Sequence, residues 1–426
     1  MTKKQAEIFD IEITSLGAQG DGVGEHEGTP VFVPGCMPGD VATVAATETR
    51  RNGIYADLIS IVEESSDRVS AACDHFGKCG GCQLQFMSPD VYGAWVKERT
   101  TMALAHHGFA PDLVREPVIT PSGTRRRVAL KALRVASGVV LGFNERGSHQ
   151  IVDVKSCPVA RPEISRLLVP LRSVLADLLP QRMAATVHIT LTASGLDILI
   201  DAPRELDLAA RECLVEFANA HDVASLHWQD QGFLDPVAIR REPVMDFAGA
   251  KVPLPPAAFI QASGEGEAAL VSAVVEACAG VGRVADLFCG IGTFTFPLAK
   301  DHQVLAAEGA KGAIDALQAG ANVAGPSFKQ IVAKHRDLFR RPLSAKELEM
   351  FDAVVFDPPR AGAKDQVEEL AKSSVSRIVA VSCNPNTFSR DARTLADGGY
   401  RLDYVLPVDQ FLWSPHMELV GVFSRD

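Results

Sequence analysis

The first sixty residues alternate short apolar runs with turn signals. The runs 11–14, 31–33, 41–44 and 55–62 are separated by segments rich in glycine and proline. Short strands at this spacing are typical of small β-barrels. We therefore predict an OB-like β-barrel over residues 1–65. The pattern leaves open whether this barrel binds RNA or only packs against its neighbour.

The middle of the chain mixes the two periodicities. Apolar residues recur at helical spacing over 89–108 and 162–179, whereas 126–154 and 184–202 alternate as strands do. This pattern predicts a central α+β domain over residues 66–255. The helix at 89–108 could instead pack on the domain that follows.

After the proline-rich stretch that ends at Pro256, strands and helices alternate. The expected strands are 284–288, 304–307, 353–356, 378–382 and 420–423. Strand–helix alternation predicts a Rossmann-like, doubly wound parallel sheet over residues 256–426, with ligands at the carboxyl ends of the strands.

Composition and charge narrow the class of protein. No run of 18 apolar residues is present, and the first ten residues lack a secretory pattern, so we expect a soluble, cytoplasmic protein with no membrane partner. The net charge of −11 disfavours a general nucleic-acid coat protein. Residues 115–161, however, hold nine basic against three acidic side chains. A local positive face of this kind suits site-specific RNA binding.

Four cysteines form a pattern typical of a metal site. Cys73, Cys79 and Cys82 lie in one glycine-rich loop, and Cys157 follows far downstream. Thiolate ligands favour an iron–sulfur cluster or zinc, and zinc usually takes two close cysteine pairs, of which only one is present. A cluster is the preferred interpretation. Zinc and uncoordinated thiols remain alternatives.

A strand-to-helix turn offers a nucleoside site. Asp286 ends the expected strand, Gly290 and Gly292 form the turn, and Glu308 ends the next strand, where it could accept hydrogen bonds from ribose hydroxyls. A dinucleotide site would want a third glycine where Thr295 stands. This pattern favours S-adenosylmethionine over NAD, and an ordinary structural turn is the alternative.

Two further strand ends carry candidate chemistry. Asp357 lies in an Asp-Pro-Pro-Arg turn, and Arg360 stands where amine methyltransferases of this type usually place an aromatic residue. Cys383 ends the next strand, where it could be a nucleophile or only a small buried side chain. His416 and Glu418, near the C-terminus, are acid–base candidates.

Together these motifs resemble the RNA 5-methyluridine methyltransferase family over nearly the whole chain. The N-terminal barrel looks like a TRAM domain. The four cysteines are similar to those of the bacterial 23S rRNA branch, whose members carry a 4Fe–4S cluster. The resemblance therefore implies S-adenosylmethionine-dependent methylation of carbon 5 of a uridine, with 23S rRNA as the expected substrate and a monomer as the expected state.

The resemblance also implies roles for individual residues. Cys383 would be the nucleophile and Glu418 the proton acceptor. The residues implied in cofactor binding are Gln261, Phe288, Glu308, Asp337 and Asp357. Phe259 would stack near the target base, and Arg125, Arg126 and Arg127 would meet RNA phosphates. Cys73, Cys79, Cys82 and Cys157 would hold the cluster.

Three other functions remain open at this point. The same chemistry could act on the T-loop uridine of tRNA. The chain could be a non-catalytic RNA-binding or assembly protein, although the presence of both Cys383 and Glu418 argues against this. A radical enzyme would need a cluster with one open iron, which a fourth ligand at Cys157 would exclude.

Overall fold

The computed structural model describes residues 7–425, which form two compact units. The first unit comprises residues 7–99, 144–149 and 413–415. The second comprises 100–143, 150–412 and 416–425. Within residues 7–425, no helix is both long enough and apolar enough to cross a membrane.

The first unit contains a closed five-stranded barrel in the order β1-β2-β3-β5-β4. Its strands are β1 (Ile8–Leu16), β2 (Gly22–His26), β3 (Thr29–Val33), β4 (Val41–Arg50) and β5 (Gly53–Glu63). Alternate residues of β1 and β3 point inward, so that Ile11, Ile13, Val31 and Val33 are buried in the barrel core. The barrel predicted from the apolar runs is therefore present.

A turn-rich segment with the three clustered cysteines follows the barrel and leads into α1 (Pro89–Ala105). Pro89 occupies the first helical turn, where its missing N–H has no intrahelical partner to lose. Helix α1 begins in the first unit and ends in the second.

The central part of the second unit is a seven-stranded sheet in the order β13-β12-β11-β10-β7-β8-β9. The elements in chain order are β6 (Val118–Ile119), β7 (Arg127–Val135), β8 (Gly138–Asn144), β9 (Ile151–Asp153), α2 (Pro162–Leu178), β10 (Ala184–Thr192), β11 (Gly195–Asp201), α3 (Leu208–Ala220), β12 (Val223–Asp230) and β13 (Phe233–Ile239). Helix α2 buries seven apolar residues at spacings of three and four, as its predicted helical pattern requires. The elements α3, β12 and β13 were not among those predicted.

The C-terminal part is an α/β arrangement preceded by a small hairpin. Its elements are β14 (Val244–Phe247), β15 (Ala250–Pro253), α4 (Gly264–Ala277), β16 (Arg283–Leu287), α5 (Thr295–Leu298), β17 (Gln303–Glu308), α6 (Lys311–Val323), β18 (Ile331–His335), α7 (Ala345–Leu348), β19 (Ala353–Phe356), α8 (Lys364–Lys372), β20 (Arg377–Ser382), α9 (Pro385–Asp397), β21 (Arg401–Asp409) and β22 (Glu418–Ser424). The sheet order is β18-β17-β16-β19-β20-β22-β21-β6.

The expectation of a wholly parallel sheet is wrong at its C-terminal end. Strands β16 to β20 are parallel, but β22 is antiparallel to both β20 and β21. The connection from β21 to β22 spans only residues 410–417. A parallel crossover needs a dozen residues or more, so this short connection forces a hairpin. The hairpin brings the first residue of β22 to the edge where the parallel strands end.

Candidate active site

A cavity of about 740 Å³ opens at the carboxyl ends of the parallel strands. Its walls come from the ends of β16, β17, β19 and β20, from the start of β22, and from the segment before α4. Ten of the residues singled out in the sequence line it, namely Phe259, Gln261, Phe288, Gly290, Glu308, Asp337, Asp357, Arg360, Cys383 and Glu418. Side chains that are scattered over 160 positions of the sequence thus share one site.

The turn after β16 is held by the carboxylate of Glu308. The backbone N–H of Gly290 donates to Glu308 Oε2 at 3.1 Å, and that of Ala310 donates to Oε1 at 2.6 Å. Phe288 and Gly290 both have left-handed backbone conformations, with φ of 58° and 56°. The turn thereby exposes backbone and an acidic acceptor to the cavity, which fits a ligand with ribose hydroxyls.

Asp286 lies behind this turn and is fully buried. Its Oδ2 accepts a hydrogen bond from Thr295 Oγ1 at 2.5 Å, and its Oδ1 has no hydrogen-bond partner among the described residues. Burial raises the pKa of Asp286 to about 7, and the nearby charges of Asp357 and Glu308 act in the same direction. Asp286 does not line the cavity, so it supports the turn from behind.

Asp337 and Phe339 form the far wall of the cavity. Asp337 Oδ1 accepts hydrogen bonds from the backbone N–H groups of Phe339 (3.0 Å) and Arg340 (3.2 Å). These bonds place the half-exposed ring of Phe339 with its centroid 5.2 Å from that of Phe288. Sequence reasoning missed Phe339, because it follows β18, a strand that the apolar pattern did not indicate.

These walls fit S-adenosylmethionine. The aromatic rings of Phe288 and Phe339 suit the adenine, the carboxylate of Glu308 suits the ribose hydroxyls, and the carboxyl groups of Asp357 and Glu418 suit a cationic sulfonium. Among the described residues that line the cavity, Arg360 is the one basic side chain, so they form no basic cluster that would bind a pyrophosphate. The residues present therefore match a nucleoside cofactor with a positive charge.

Asp357 is placed by the end of β19 and by Gln261. Gln261 Nε2 donates to Asp357 Oδ2 at 3.2 Å. Burial raises the pKa of Asp357 to about 7, and the hydrogen bond from Gln261 opposes that rise. A protonated and an ionised Asp357 are therefore both accessible near neutral pH.

Cys383 follows β20 directly and precedes α9, whose N-cap is Asn384. Its side chain is only partly buried. Burial raises the pKa of the thiol to about 11, the charges of Glu418 and Asp357 add to the rise, and Arg360 opposes it. In the unliganded protein the thiol is therefore neutral near pH 7.

Glu418 is the first residue of β22 and is 3% exposed. The antiparallel register pairs Ser382 with Leu419, and its continuation by one residue would place Cys383, which directly follows β20, opposite Glu418. Burial and the charge of Asp357 raise the pKa of Glu418 well above its usual range. A carboxyl group and a thiol thus meet at the cavity because the last strand reverses direction. The other acid–base candidate, His416, is exposed and does not line the cavity.

Gln410 completes the site and was not among the sequence candidates. It is 2% exposed and contacts both Gln261 and Glu418 through its side-chain amide. A glutamine between an aspartate and a phenylalanine carries no recognisable motif, so only the folded hairpin reveals it.

The three consecutive arginines differ in their surroundings. Arg125 lies with its guanidinium 5.5 Å from the Phe411 ring centroid, and Arg127 lies 5.3 Å from that of Phe259, near the cavity mouth. Arg126 instead pairs with Glu267 at 2.5 Å and donates to the carbonyl of Gln261. Because its guanidinium is engaged inside the protein, Arg126 does not fit the phosphate-binding role predicted for it.

The cysteines of the predicted cluster occupy both units. Cys73, Cys79 and Cys82 lie partly buried in the loop before α1, and Cys157 lies in the second unit, where its N–H donates to Ser165 Oγ at 3.1 Å. Between residues 7 and 425, no group of three or more His, Cys, Asp or Glu side chains is arranged to hold a metal ion. The geometry does not supply a fit for a cluster, which stays a prediction from the cysteine spacing.

Comparisons with known proteins identify the family. Residues 254–425 match the tRNA (Uracil-5-)-methyltransferase family, and residues 3–59 match the TRAM domain. An uncharacterized RNA methyltransferase of Caulobacter vibrioides is 42% identical over 424 residues, which cover 98% of this chain and 100% of the relative. The 23S rRNA (uracil(1939)-C(5))-methyltransferase RlmD of Yersinia enterocolitica is 34% identical, with coverage of 100% and 97%.

A solved structure shares the fold. The Pyrococcus abyssi tRNA (uracil-54, C5)-methyltransferase, in complex with S-adenosyl-L-homocysteine, aligns with a TM-score of 0.74 at 22% identity and covers 97% of this chain and 100% of its own. The identity to RlmD over the full length and the matched catalytic domain lead to one conclusion. The chain belongs to the family of S-adenosylmethionine-dependent RNA uracil-5-methyltransferases.

Proposed function

We propose that this enzyme methylates carbon 5 of one specific uridine in 23S rRNA through a covalent bond between Cys383 and carbon 6 of the base. The observation that supports this most directly is that Cys383 and Glu418, at the adjoining ends of two antiparallel strands, both line a cavity that fits S-adenosylmethionine. A nucleophile and a proton acceptor side by side are what this reaction needs.

Each step then has a residue in this cavity. The Cys383 thiolate adds to carbon 6, and the electron pair of the carbon 5–carbon 6 double bond makes carbon 5 nucleophilic. S-adenosylmethionine, when bound, supplies the electrophilic methyl group. Glu418 then accepts the hydrogen of carbon 5 as a proton, the double bond re-forms, and the carbon–sulfur bond breaks to release Cys383.

The thiol needs activation before it can react. Burial raises the pKa of Cys383 to about 11, so the side chain is a neutral thiol near pH 7 in the unliganded protein. Arg360 lowers this pKa, and a cationic ligand in the same cavity would lower it further, because it stabilises a nearby negative charge. We therefore propose that Cys383 becomes nucleophilic only when the cavity is filled. Such gating limits reaction of the thiol with other electrophiles.

The mouth of the cavity suits an extruded base. Phe259 is 61% exposed and could stack on a flipped uracil, while Arg125 and Arg127 beside it could meet the flanking phosphates. We assign RNA binding also to the barrel over residues 1–65, cluster binding to 66–255 and catalysis to 256–426. We further propose that the enzyme acts as a monomer in the cytoplasm, where its RNA is found.

We propose a 4Fe–4S cluster on Cys73, Cys79, Cys82 and Cys157 from their spacing alone. Iron and acid-labile sulfide are measured after purification without oxygen, in the wild type and in Cys157→Ser. About four of each per chain in the wild type, and a loss in the variant, would support the assignment. If the purified protein instead contains one equivalent of zinc, the cysteines form a zinc site and not a cluster. If the iron and sulfide contents are unchanged in Cys157→Ser, Cys157 is not a ligand.

The choice of 23S rRNA follows RlmD, a full-length relative whose name states its substrate. The test is mass spectrometry of 23S rRNA and tRNA fragments from cells with and without this protein. Loss of one methyl group at a single uridine of 23S rRNA supports the proposal and identifies the site. A loss confined to the tRNA T-loop would retain the chemistry and overturn the substrate. No change in either RNA would favour a non-catalytic RNA-binding protein.

A further inference from the structure

Gln410 contacts the carboxyl group of Glu418 directly and that of Asp357 through Gln261. It follows β21 directly and is buried in the hairpin connection that leads to Glu418. The neighbouring Asp409 anchors this connection, because its Oδ1 accepts the N–H of Phe411 at 3.0 Å and its carbonyl accepts the N–H of Thr120 at 3.1 Å. Gln410 therefore has little freedom to move.

The hydrogen bonds of Gln410 determine the orientation of its amide. The backbone N–H of Ala262 donates to Gln410 Oε1 at 2.7 Å, and a backbone N–H can pair only with the oxygen end. The Nε2 group therefore faces the other way and donates to Glu418 Oε1 at 3.2 Å and to Gln261 Oε1 at 2.5 Å. Both N–H groups and the oxygen of this amide are used.

The orientation passes along a chain of hydrogen bonds. Because Gln261 Oε1 accepts from Gln410, the Nε2 of Gln261 must face Asp357 and donate to its Oδ2. The backbone of Ala262 thus sets the direction of two amides in succession. In consequence, Asp357 and Glu418 each receive an N–H donor on one oxygen.

The packing of Gly266 against Gln410 also constrains the position of the Gln410 side chain. Gly266, in the first turn of α4, is so close that a Cβ atom there would lie 2.6 Å from Cβ of Gln410. Real Cβ atoms do not approach so closely, so any side chain at this position would displace Gln410. The glycine is therefore required for Gln410 to reach both Ala262 and Glu418.

We propose that Gln410 is a positioning residue, which occupies Oε1 of Glu418 so that Oε2 is the atom that accepts the proton from carbon 5 of uracil. This inference rests on the proposed covalent mechanism and adds to it a residue that touches neither cofactor nor reacting atoms. A proton on Oε1 would face the N–H of Gln410, whereas a proton on Oε2 would not. Gln410 thus selects the oxygen that works as base.

The same hydrogen bond keeps Glu418 able to act as a base. Burial and Asp357 raise the pKa of Glu418, and the amide of Gln410 opposes them. Removing the amide therefore makes ionised Glu418 rarer at neutral pH. The slower proton removal in a variant without the Gln410 amide should disappear at alkaline pH, where Glu418 ionises even without that hydrogen bond. A purely structural role of Gln410 would not explain this recovery.

The test compares Gln410→Met with the wild type in single-turnover reactions on the unmethylated substrate RNA, between pH 6 and 9. The measured quantities are release of tritium from [5-³H]uridine and the amount of covalent enzyme–RNA adduct. We expect the rise of the tritium-release rate with pH to move up by about one pH unit, with roughly tenfold slower release and more adduct on the acid side. The KM for RNA should change less than about twofold, since Gln410 does not line the cavity.

Gln366→Met is the matched control. Gln366 is 1% exposed, lies outside the cavity, and uses its amide to bond the N–H and the carbonyl of Leu343 at 2.8 and 3.0 Å. Its substitution should lower the melting temperature and leave the pH profile unchanged. Gln410→Asn, whose amide is one methylene too short to span both partners, serves if Gln410→Met does not fold.

The outcomes separate this inference from the proposed function. A wild-type pH profile and adduct level in the folded Gln410 variants would overturn the role of Gln410 and leave the covalent mechanism intact. Absence of 5-methyluridine and of any adduct in the wild-type enzyme would instead overturn the proposed function, and this inference with it.

Discussion

The buried carboxyl of Asp286 should make the unliganded protein less stable as the pH rises. Its pKa of about 7 in the folded protein stands against an ordinary 3.8, because burial penalises the charged form. Ionisation of Asp286 therefore opposes folding, and the stability present below pH 3.8 is lost as the pH rises to about 7. At roughly 1.4 kcal/mol per pH unit, the loss between pH 5 and pH 8 is about 3 kcal/mol, because it accumulates only up to the folded pKa of about 7.

The variant Asp286→Asn removes this dependence. The side-chain oxygen of the asparagine can still accept the hydrogen bond from Thr295. Its NH₂ group, however, replaces Oδ1, which has no hydrogen-bond partner among the described residues. A buried NH₂ group without a partner destabilises the folded protein by about 1–3 kcal/mol. That cost does not depend on pH, so it cancels when each protein is compared with itself at two pH values. The variant should be less stable than the wild type at pH 5, and this difference in stability should become smaller, or change sign, by pH 8.

The assay is the melting temperature of each protein at pH 5 and pH 8 without ligand. With an unfolding entropy of roughly 2 cal/mol/K per residue, about 3 kcal/mol corresponds to roughly 3 °C for 426 residues. The wild type should therefore lose about 3 °C more than Asp286→Asn over this interval. Asp301→Asn, which changes an exposed carboxyl in the same unit, should behave as the wild type does. An equal loss in wild type and Asp286→Asn would refute the argument.

Four further substitutions test the site. Cys383→Ala should abolish methyl transfer but leave binding of S-adenosylhomocysteine, measured by calorimetry, within about twofold; full turnover would exclude the covalent route. Glu418→Gln should accumulate an RNA adduct on denaturing gels, since the carbon 5 proton has no acceptor; its absence with competent substrates would count against that role. Gly292 has a φ of 103°, and a Cβ atom at this position would lie only 2.6 Å from the Phe296 ring. Gly292→Ala should therefore weaken cofactor binding at least tenfold in the same calorimetry, and an unchanged affinity would contradict this expectation. Arg127→Ala should weaken RNA binding and reduce the slope of log affinity against log salt by about one, and an unchanged slope would mean that it meets no phosphate.

Several features of the site were predictable because they depend on local sequence. Asp286, Glu308 and Asp357 lie at or next to the ends of β16, β17 and β19. These strands are short apolar runs bounded by turns, and the carboxyl ends of parallel strands share one edge of a sheet. Cofactor and nucleophile candidates at successive strand ends could therefore be expected to meet. The cavity contains all of these candidates except Asp286, which supports it from behind.

Other features were missed because their signals are not local. Strand β6 pairs with β21 from nearly 300 residues away, so nothing in its own segment of the sequence indicates a strand. Arg126 reads as part of a basic run, but its contact with Glu267 turns it inward. A run of basic residues in the sequence does not show which of them are exposed, because the burial of each depends on the residue that it contacts in the folded protein.

What the sequence determined by itself is the set of chemical groups and the strand ends that present them, since apolar periodicity and turn residues act over a few positions. What only the tertiary structure decided is that Cys383 and Glu418 line the same cavity and that Gln410 lies between Glu418 and Gln261. Both depend on the reversal of β22, which follows from the short connection before it and from a register set by packing of the whole sheet. A side-chain contact across strands is a property of that register, and no single segment of the chain contains it.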